Sequence, residues 1–209
     1  VKVVDKKYVY PVGLPIGLYL KTQGVMIIDT GEIENKNGEN VSPAKNKVKA
    51  GEYIIKFNDI SVSNKAQLCY LINENKGKKI MLTVKSEKEI RTVELKPQLA
   101  KKGEYMLGIW VRDDSQGIGT MTFVTEDNKY GALGHGISDI DTGKLLSSHN
   151  GTIYNANIWG IKKGEKGNPG GLCGSIIYNK ENEIGDIEKN NNFGIYGNFD
   201  KNLIKKYNI

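Results

Sequence analysis

The chain has 209 residues, a formal net charge of +6, 38% hydrophobic and 26% charged residues, which is typical of a globular protein of one large or two small domains. It contains no apolar run of about 18 residues and no basic segment followed by an apolar one, so neither a membrane span nor a signal peptide is predicted. Lysines alternate with acidic residues instead of forming a dense basic stripe, so nucleic acid is not an expected partner. With 25 glycines and 5 prolines, the composition predicts many short strands joined by turns.

The first half of the chain is predicted to be mainly strands. The polar segment 29–47 is expected to form a surface loop between them. The elements expected here are an edge strand or arm at 1–10, a glycine loop running into a strand at 11–21, and strands at 25–28, 53–57, 80–84 and 90–95.

One amphipathic helix is predicted between these strands. Ser63 or Asn64 is a suitable N-cap, because a short polar side chain can accept a hydrogen bond from a free N–H group of the first turn. Leu68 and the apolar residues three and four positions later form one face. Gly77 is expected to end the helix.

These elements, with the segment Lys-Ala-Gly-Glu-Tyr-Ile-Ile-Lys-Phe-Asn-Asp at 49–59, resemble a PDZ domain over about residues 11–97. That resemblance implies an extended peptide added as a strand beside 18–20, with its carboxylate on backbone N–H groups of the preceding loop. The alternative is a small β-rich domain whose groove is unused. The predicted peptide-binding residues are Ile16, Gly17, Leu18, Tyr19, Leu20, Lys65 and Cys69.

The charged stretch 98–104 marks the predicted domain boundary. Residues 1–97 form the N-terminal arm and PDZ-like domain, and residues 98–209 form a second, strand-rich domain. Trp110 and Trp159 are expected in the core of this second domain, since large aromatic side chains contribute most to a core when buried.

The stretch Gly-Ala-Leu-Gly-His-Gly-Ile-Ser-Asp-Ile-Asp-Thr-Gly at 131–143 places His135 between two glycines. Histidine is the usual general base near neutral pH, and the glycines allow close approach of another chain or a substrate. Asp139 and Asp141 are candidate orienters of the imidazole, or residues that hold a turn by Asx bonding. The two cysteines form no metal-binding motif, and neither a metal nor another cofactor is predicted.

Three further motifs accompany the His135 stretch. They are Leu-Gly-Ile-Trp-Val-Arg-Asp from Leu107, Gly-Ile-Gly-Thr-Met-Thr-Phe from Gly117, and Lys-Lys-Gly-Glu-Lys-Gly-Asn-Pro-Gly from Lys162. Preceded by a PDZ-like unit, they resemble the stage IV sporulation protein B peptidases, which are PDZ-containing serine peptidases of spore-forming bacteria. The resemblance implies a mainly β chain in which a trypsin-like, or partial, β-barrel follows the PDZ-like domain, with His135 as the catalytic base.

The same resemblance implies a role and a place. The expected substrate is a protein or peptide, with the chain's own termini in trans as one option. The expected partner is a membrane-associated signalling complex, whose cleavage releases processing of a sigma factor. The expected location is extracytoplasmic, between the forespore and mother-cell membranes.

A histidine base needs an activated Ser or Cys beside it. Gly-Leu-Cys-Gly-Ser at 171–175 has the Gly-x-nucleophile-Gly form of chymotrypsin-like proteases, so Cys173 and Ser175 are local candidates in an expected glycine-flanked turn. The family's own motif, of the form Gly-Met-Ser-Gly-Ser-Pro, does not occur in this sequence. Three explanations stay open: a fragment of an active peptidase, a catalytically silent peptide-binding paralogue, or an enzyme with a local nucleophile.

Overall fold

A computed structural model describes residues 6–147 and 150–200, together with Asn202 and Tyr207. The first five residues of the predicted leading arm lie outside this described part. Strand accounts for 56% and helix for 7%, which confirms the mainly β class. The elements are β1 (Val9–Thr30), β2 (Ile33–Glu34), β3 (Asn40–Val41), β4 (Tyr53–Phe57), β5 (Ile60–Ser61), α1 (Lys65–Glu74), β6 (Ile80–Lys85), β7 (Ile90–Leu95), β8 (Gln98–Leu99), β9 (Tyr105–Met106), β10 (Ile109–Thr125), β11 (Lys129–Leu133), β12 (Asn150–Lys162), β13 (Gly171–Ile176), β14 (Glu183–Ile187), β15 (Lys189–Asn191) and β16 (Gly194–Asn198), with a 3₁₀ turn at Lys180–Asn182.

The chain forms two compact units that alternate along the sequence. Unit 1 contains 1–21, 114–137 and 145–209, and unit 2 contains 22–113 and 138–144. The divisions fall inside β1 and β10, so each of these long strands contributes residues to both units. Residue 97, where the sequence places the domain boundary, lies within unit 2.

β1 is one strand of 22 residues, although the sequence predicted a glycine loop running into a strand at 11–21 and a separate strand at 25–28. Gly24 has φ +88°, and a Cβ there would lie 2.3 Å from the carbonyl oxygen of Ile54. Glycine is therefore required at this position, but for a close approach within a strand. Pairing of Val25 and Met26 with β4 keeps the chain extended where the local signal favoured a turn.

Unit 2 is built on the strand order β1-β4-β6-β7, with β5 paired to β4 and α1 covering the core. The predicted helix is confirmed: the Asn64 side chain accepts the Gln67 N–H at 2.8 Å, and Leu68 and Ile72 are buried. The core residues are Val25, Ile27, Ala44, Val48, Ile54, Phe57, Val62, Leu68, Ile72, Ile80, Leu82, Val84, Val93, Leu95 and Leu107.

The surface loop predicted at 29–47 is more ordered than expected. It contains the β2–β3 hairpin, and Ile33 and Ala44 are buried. The Asn35 side chain accepts hydrogen bonds from the N–H groups of Asn37 and Glu39, at 2.9 and 3.0 Å. This local bonding pattern lets a polar sequence form a fixed turn.

Unit 1 has the strand order β15-β16-β11-β10-β1, and β12 pairs with β1 from Ile16–Asn155 to Lys21–Asn150. β12 also pairs with β13 and β14, while Gly185 of β14 forms an isolated bridge with Phe199, the residue after β16. The ladders of the described residues do not close a barrel, so the structure supports a mainly β unit and not the finer barrel prediction. The core residues are Ile16, Leu18, Leu20, Met121, Val124, Tyr130, Ala132, Ile153, Ile184, Ile187, Ile195 and Phe199.

Two expectations about side-chain burial are wrong. Trp110 and Trp159, predicted to lie in a core, are 69% and 72% exposed. Aromatic identity indicated burial, but neither residue joins either core cluster. Among the residues that the structure describes, no helix has the length and apolar character needed to cross a lipid bilayer.

Candidate active site around His135

The turn that carries His135 follows directly from β11 and depends on both flanking glycines. Gly134 has φ +135°, a conformation that residues with a side chain rarely adopt. A Cβ on Gly136 would lie 2.4 Å from the carbonyl oxygen of Asn191, so the backbone would have to move to accept any other residue. The Gly-His-Gly spacing is therefore explained by two different physical requirements.

Asn190 fixes the base of this turn with its side-chain amide. Its Oδ1 accepts the Ile137 N–H at 2.8 Å, and its Nδ2 donates to the carbonyls of Ile137 and Leu146 at 2.9 and 3.0 Å. The backbone closes the same loop, because the Leu146 N–H donates to the Ile137 carbonyl at 3.0 Å. Asn190 thus holds the chain two residues beyond His135 by neutral hydrogen bonds.

The imidazole of His135 is exposed and bonds to its own backbone. Its Nδ1 lies 2.8 Å from the carbonyl oxygen of Gly136. A carbonyl only accepts, so Nδ1 carries the proton, and in the neutral ring Nε2 keeps the free lone pair. This is the tautomer that the histidine of a Ser-His-Asp triad uses, with Nε2 available to remove a proton.

The predicted orienters, Asp139 and Asp141, both bind Arg112. Arg112 donates from Nη1 to Oδ2 of Asp139 at 2.6 Å and from Nη2 to Oδ2 of Asp141 at 2.7 Å. The Asp139 side chain is fully buried, and its Oδ1 accepts the N–H groups of Asp141 and Thr142 at 3.1 and 2.8 Å. The turn-holding role that the sequence left open is the one these contacts display.

An orienting carboxylate would accept the Nδ1 proton of the imidazole. In the structure that proton is donated to Gly136, so the orienter role of Asp139 and Asp141 stays a prediction. Among the described residues, no group of His, Cys, Asp and Glu side chains is arranged to hold a metal ion.

The local nucleophile candidates do not lie in the predicted glycine-flanked turn. Cys173 and Ser175 belong to β13, opposite Gly160 and Asn157 in the ladder with β12. Successive N–H groups of a strand point to opposite edges, so neighbouring ones do not converge on a single oxyanion. Cys173 is a partly buried free thiol and Ser175 is exposed, but the backbone around them is not that of a nucleophilic turn.

The predicted peptide-binding strand already has a partner in the structure. Ile16, Gly17, Leu18 and Leu20 are buried, Tyr19 is half-buried, and all five pair with β12. The edge that was expected to accept a peptide is therefore filled, and a peptide strand would have to displace β12. The sequence contained no signal for this, because β12 lies more than a hundred residues further along the chain.

The two predicted helix contacts remain accessible. Lys65 and Cys69 are exposed on α1, one turn apart, and the Cys69 thiol is free. The first turn of α1 has a carboxylate partner, because the Lys65 N–H donates to Oδ2 of Asp113 at 2.7 Å. The role of Lys65 and Cys69 in peptide binding stays a prediction.

The sequence model of the SpoIVB peptidase S55 family matches residues 103–209, just over half of the chain. The chain belongs to the SpoIVB peptidase family. The resemblance stated from the motifs is thereby confirmed, and the matched region contains His135, Cys173 and Ser175. No curated protein matches the chain.

Sequence reasoning missed two residues that hold these turns. Asn190 lies in the polar run Glu188–Asn192, where nothing distinguishes one asparagine from the next. Arg112 carried a weak signal, since it is one of only two arginines among thirty basic residues. A bidentate guanidinium is the expected choice for two carboxylates, so the rarity of arginine could have indicated a specific role.

Proposed function

We propose that this member of the SpoIVB peptidase family acts as a serine endopeptidase in sporulation signalling, with His135 as its general base. The observation that carries the proposal is the contact of 2.8 Å between Nδ1 of His135 and the carbonyl oxygen of Gly136. The bond from Nδ1 to the Gly136 carbonyl leaves Nε2 of an exposed imidazole free to take a proton.

The finer role that we propose is supported by family membership and not by the site itself. The substrate is a protein of a membrane-associated complex between the forespore and mother-cell membranes, and its cleavage releases sigma-factor processing. Unit 2 contributes a PDZ-like peptide-binding domain in which Lys65 and Cys69 of α1 contact the peptide, while pairing of that peptide along 16–20 requires displacement of β12. The exposure of both side chains on one face of α1 supports this assignment.

One observation favours a second candidate function. Cys173 and Ser175 occupy a paired strand and not a glycine-flanked nucleophilic turn. A catalytically silent peptide-binding protein would have this feature. In this alternative the His135 turn is a structural remnant, and the function resides in peptide capture.

A single set of reactions distinguishes the peptidase from the catalytically silent peptide-binding protein. Hydrolysis of a fluorogenic peptide library is measured for the wild-type protein and for His135→Ala, together with labelling by a fluorophosphonate. Turnover that disappears in His135→Ala, with fluorophosphonate labelling, supports the peptidase. Cys173→Ala, matched by Cys69→Ala, identifies a thiol nucleophile if it alone abolishes turnover. Absent turnover and absent labelling, with retained peptide binding, supports the silent alternative.

A further inference from the structure

β12 and β13 continue beyond the core of unit 1 as a two-stranded ribbon, defined here as residues 156–176. Its ladder runs from Ala156–Ile176 to Lys162–Gly171. The ribbon ends in a tight turn, where Glu165 and Asn168 exchange two backbone hydrogen bonds of 2.9 Å and Gly167 has φ +80°. The sequence motif at this turn is thus explained by the geometry of a hairpin.

A bulge gives the ribbon a continuous apolar face. The register shifts between Ile158 and Gly160, which makes Trp159 the extra residue of β12. Ile158 and Ile161 are three positions apart, a spacing that would place them on opposite faces of a regular strand. Because of the bulge they oppose Gly174 and Leu172, which are two positions apart on β13, so both isoleucines lie on one face. Ile161 stands directly opposite Leu172.

The outer half of this face is exposed. On it, Ile161 is 77% exposed and Leu172 is 38% exposed, and the neighbouring bulge residue Trp159 is 72% exposed. Contiguous exposed apolar residues usually mark a site of association.

β13 also has an open edge. Among the residues that the structure describes, β13 pairs only with β12, so its other edge presents unpaired N–H and C=O groups. Natural edges are commonly protected by charged residues or proline. The sequence Gly-Leu-Cys-Gly-Ser-Ile at 171–176 contains neither.

The end of the ribbon is positively charged. Lys162, Lys163 and Lys166 are exposed there, against the single carboxylate of Glu165. Three lysines against one glutamate favour an acidic partner and steer its approach.

We propose that the open edge of β13 receives an extended acidic segment of a partner polypeptide as an additional strand. The backbone edge supplies hydrogen bonds, the apolar face accepts alternate side chains, and the lysines select acidic residues. A lipid surface fits less well, because an open strand edge placed in hydrocarbon would leave its polar backbone groups unsatisfied. The site does not depend on catalysis by His135.

The test uses a short synthetic peptide in which Glu and Val alternate. We expect it to slow hydrogen–deuterium exchange at 171–176 and to shift the emission of Trp159 in a Trp110→Phe protein, where Trp159 is the sole tryptophan. The same peptide with Lys in place of Glu, or with alternate backbone amides N-methylated, should give neither effect. Unchanged exchange with the acidic peptide, or equal protection by the N-methylated one, overturns the proposal.

Charge reversal tests the recognition element without touching the ladder. Combined Lys162→Glu, Lys163→Glu and Lys166→Glu should weaken the acidic peptide at least about tenfold, equal to about 1.4 kcal/mol. The matched control reverses three exposed lysines elsewhere, Lys36, Lys45 and Lys78, and should leave the affinity unchanged. Equal losses in both variants would indicate attraction to net charge alone and contradict a site on β13.

Lipid vesicles test whether the ribbon binds a membrane surface instead of a peptide. Phosphatidylcholine vesicles containing phosphatidylglycerol should not shift the Trp159 emission of the Trp110→Phe protein. A blue shift with these vesicles, together with absent peptide protection, would assign the ribbon to a lipid surface and overturn the proposal.

Discussion

Two successive turns in the stretch 131–143 are held in opposite ways. The His135 turn, in unit 1, is held by neutral hydrogen bonds from Asn190 and by the steric fit of Gly136. The turn at 138–144, in unit 2, is held by a guanidinium that binds two carboxylates.

The difference has a chemical meaning. An amide clamp fixes the backbone without placing a charge in the turn, so the exposed imidazole of His135 keeps a free basic nitrogen. The ion pair of Arg112 with Asp139 fixes its turn more strongly but engages the buried carboxylate completely. A glycine-rich sequence with one His and two Asp thus contains two separate turns, one held by neutral hydrogen bonds and one held by an ion pair.

The largest expected effect on stability is at the turn 138–144, which Arg112 holds. Arg112→Gln leaves the buried carboxylate of Asp139 without its cationic partner, which should lower the free energy of unfolding by about 3–5 kcal/mol. Urea denaturation measures it. The control is Asp141→Asn, whose half-exposed side chain should cost below about 1 kcal/mol. Equal small losses in the two variants would show that Asp139 is not an obligatory ion-pair partner.

The second largest expected effect on stability is at the His135 turn, which Asn190 holds. Asn190→Ala removes three hydrogen bonds and should cost about 2–3 kcal/mol of unfolding free energy. Asn191→Ala removes one bond, to the Phe193 N–H, and should cost about 1 kcal/mol.

The ¹⁵N shifts of the His135 ring give a second readout for Asn190→Ala. We expect loss of the Nδ1-protonated tautomer, with His149, the other histidine of the chain, as reference. An unchanged tautomer in a destabilised Asn190→Ala protein would mean that Asn190 supports the fold but does not position the imidazole.

The two turns also use glycine differently, and alanine substitution separates the uses. Gly136→Ala meets the Asn191 carbonyl at 2.4 Å and should cost about 2 kcal/mol. Gly143→Ala meets nothing within 4 Å but has φ +66°, so only backbone strain of about 1 kcal/mol is expected. Thermal denaturation of both variants gives the comparison, and a larger loss in Gly143→Ala would reverse the assignment.

The smallest effect concerns Tyr130 of β11. Among the described residues its buried hydroxyl has no hydrogen-bond partner, so Tyr130→Phe should raise the unfolding free energy by about 1 kcal/mol. Burial, with the nearby charges of Asp186 and Glu188, raises the pKa of Tyr130.

That raised pKa predicts the sign of a pH effect. Below the ordinary tyrosine pKa of about 10, ionisation of Tyr130 does not change the free energy of unfolding. Above that pH the free energy of unfolding falls, because only the unfolded state then ionises. Urea denaturation between about pH 9 and 11 should show a smaller loss of unfolding free energy in Tyr130→Phe than in the wild-type protein. Identical slopes in the two proteins would contradict a raised pKa.

Much of unit 2 was predictable because its signals are local. The strand at 53–57 and the helix capped by Asn64 follow from short patterns of apolar and capping residues. The length of β1 was not predictable in the same way, since Pro11 and Gly24 favour breaks that pairing with distant strands overrides.

The site was predictable only in part. The His-Gly pattern indicated His135 as the candidate base, and the family motifs supplied its context. Asn190 reaches Ile137 across more than fifty residues, and a single sequence contains no signal for such a contact. The turn expected at Cys173 failed because a Gly-x-Cys-Gly pattern fits an edge strand as well as a turn.

The alternation of the two units along the chain has a consequence for synthesis on the ribosome. Most of unit 2, residues 22–113, is complete before the later segments of unit 1 exist. Unit 2 can therefore begin to fold before the strands that pair with the first segment of unit 1 have been translated. Arg112 emerges 27 residues before Asp139. The nascent chain thus carries an unpaired arginine until the last piece of unit 2 is translated.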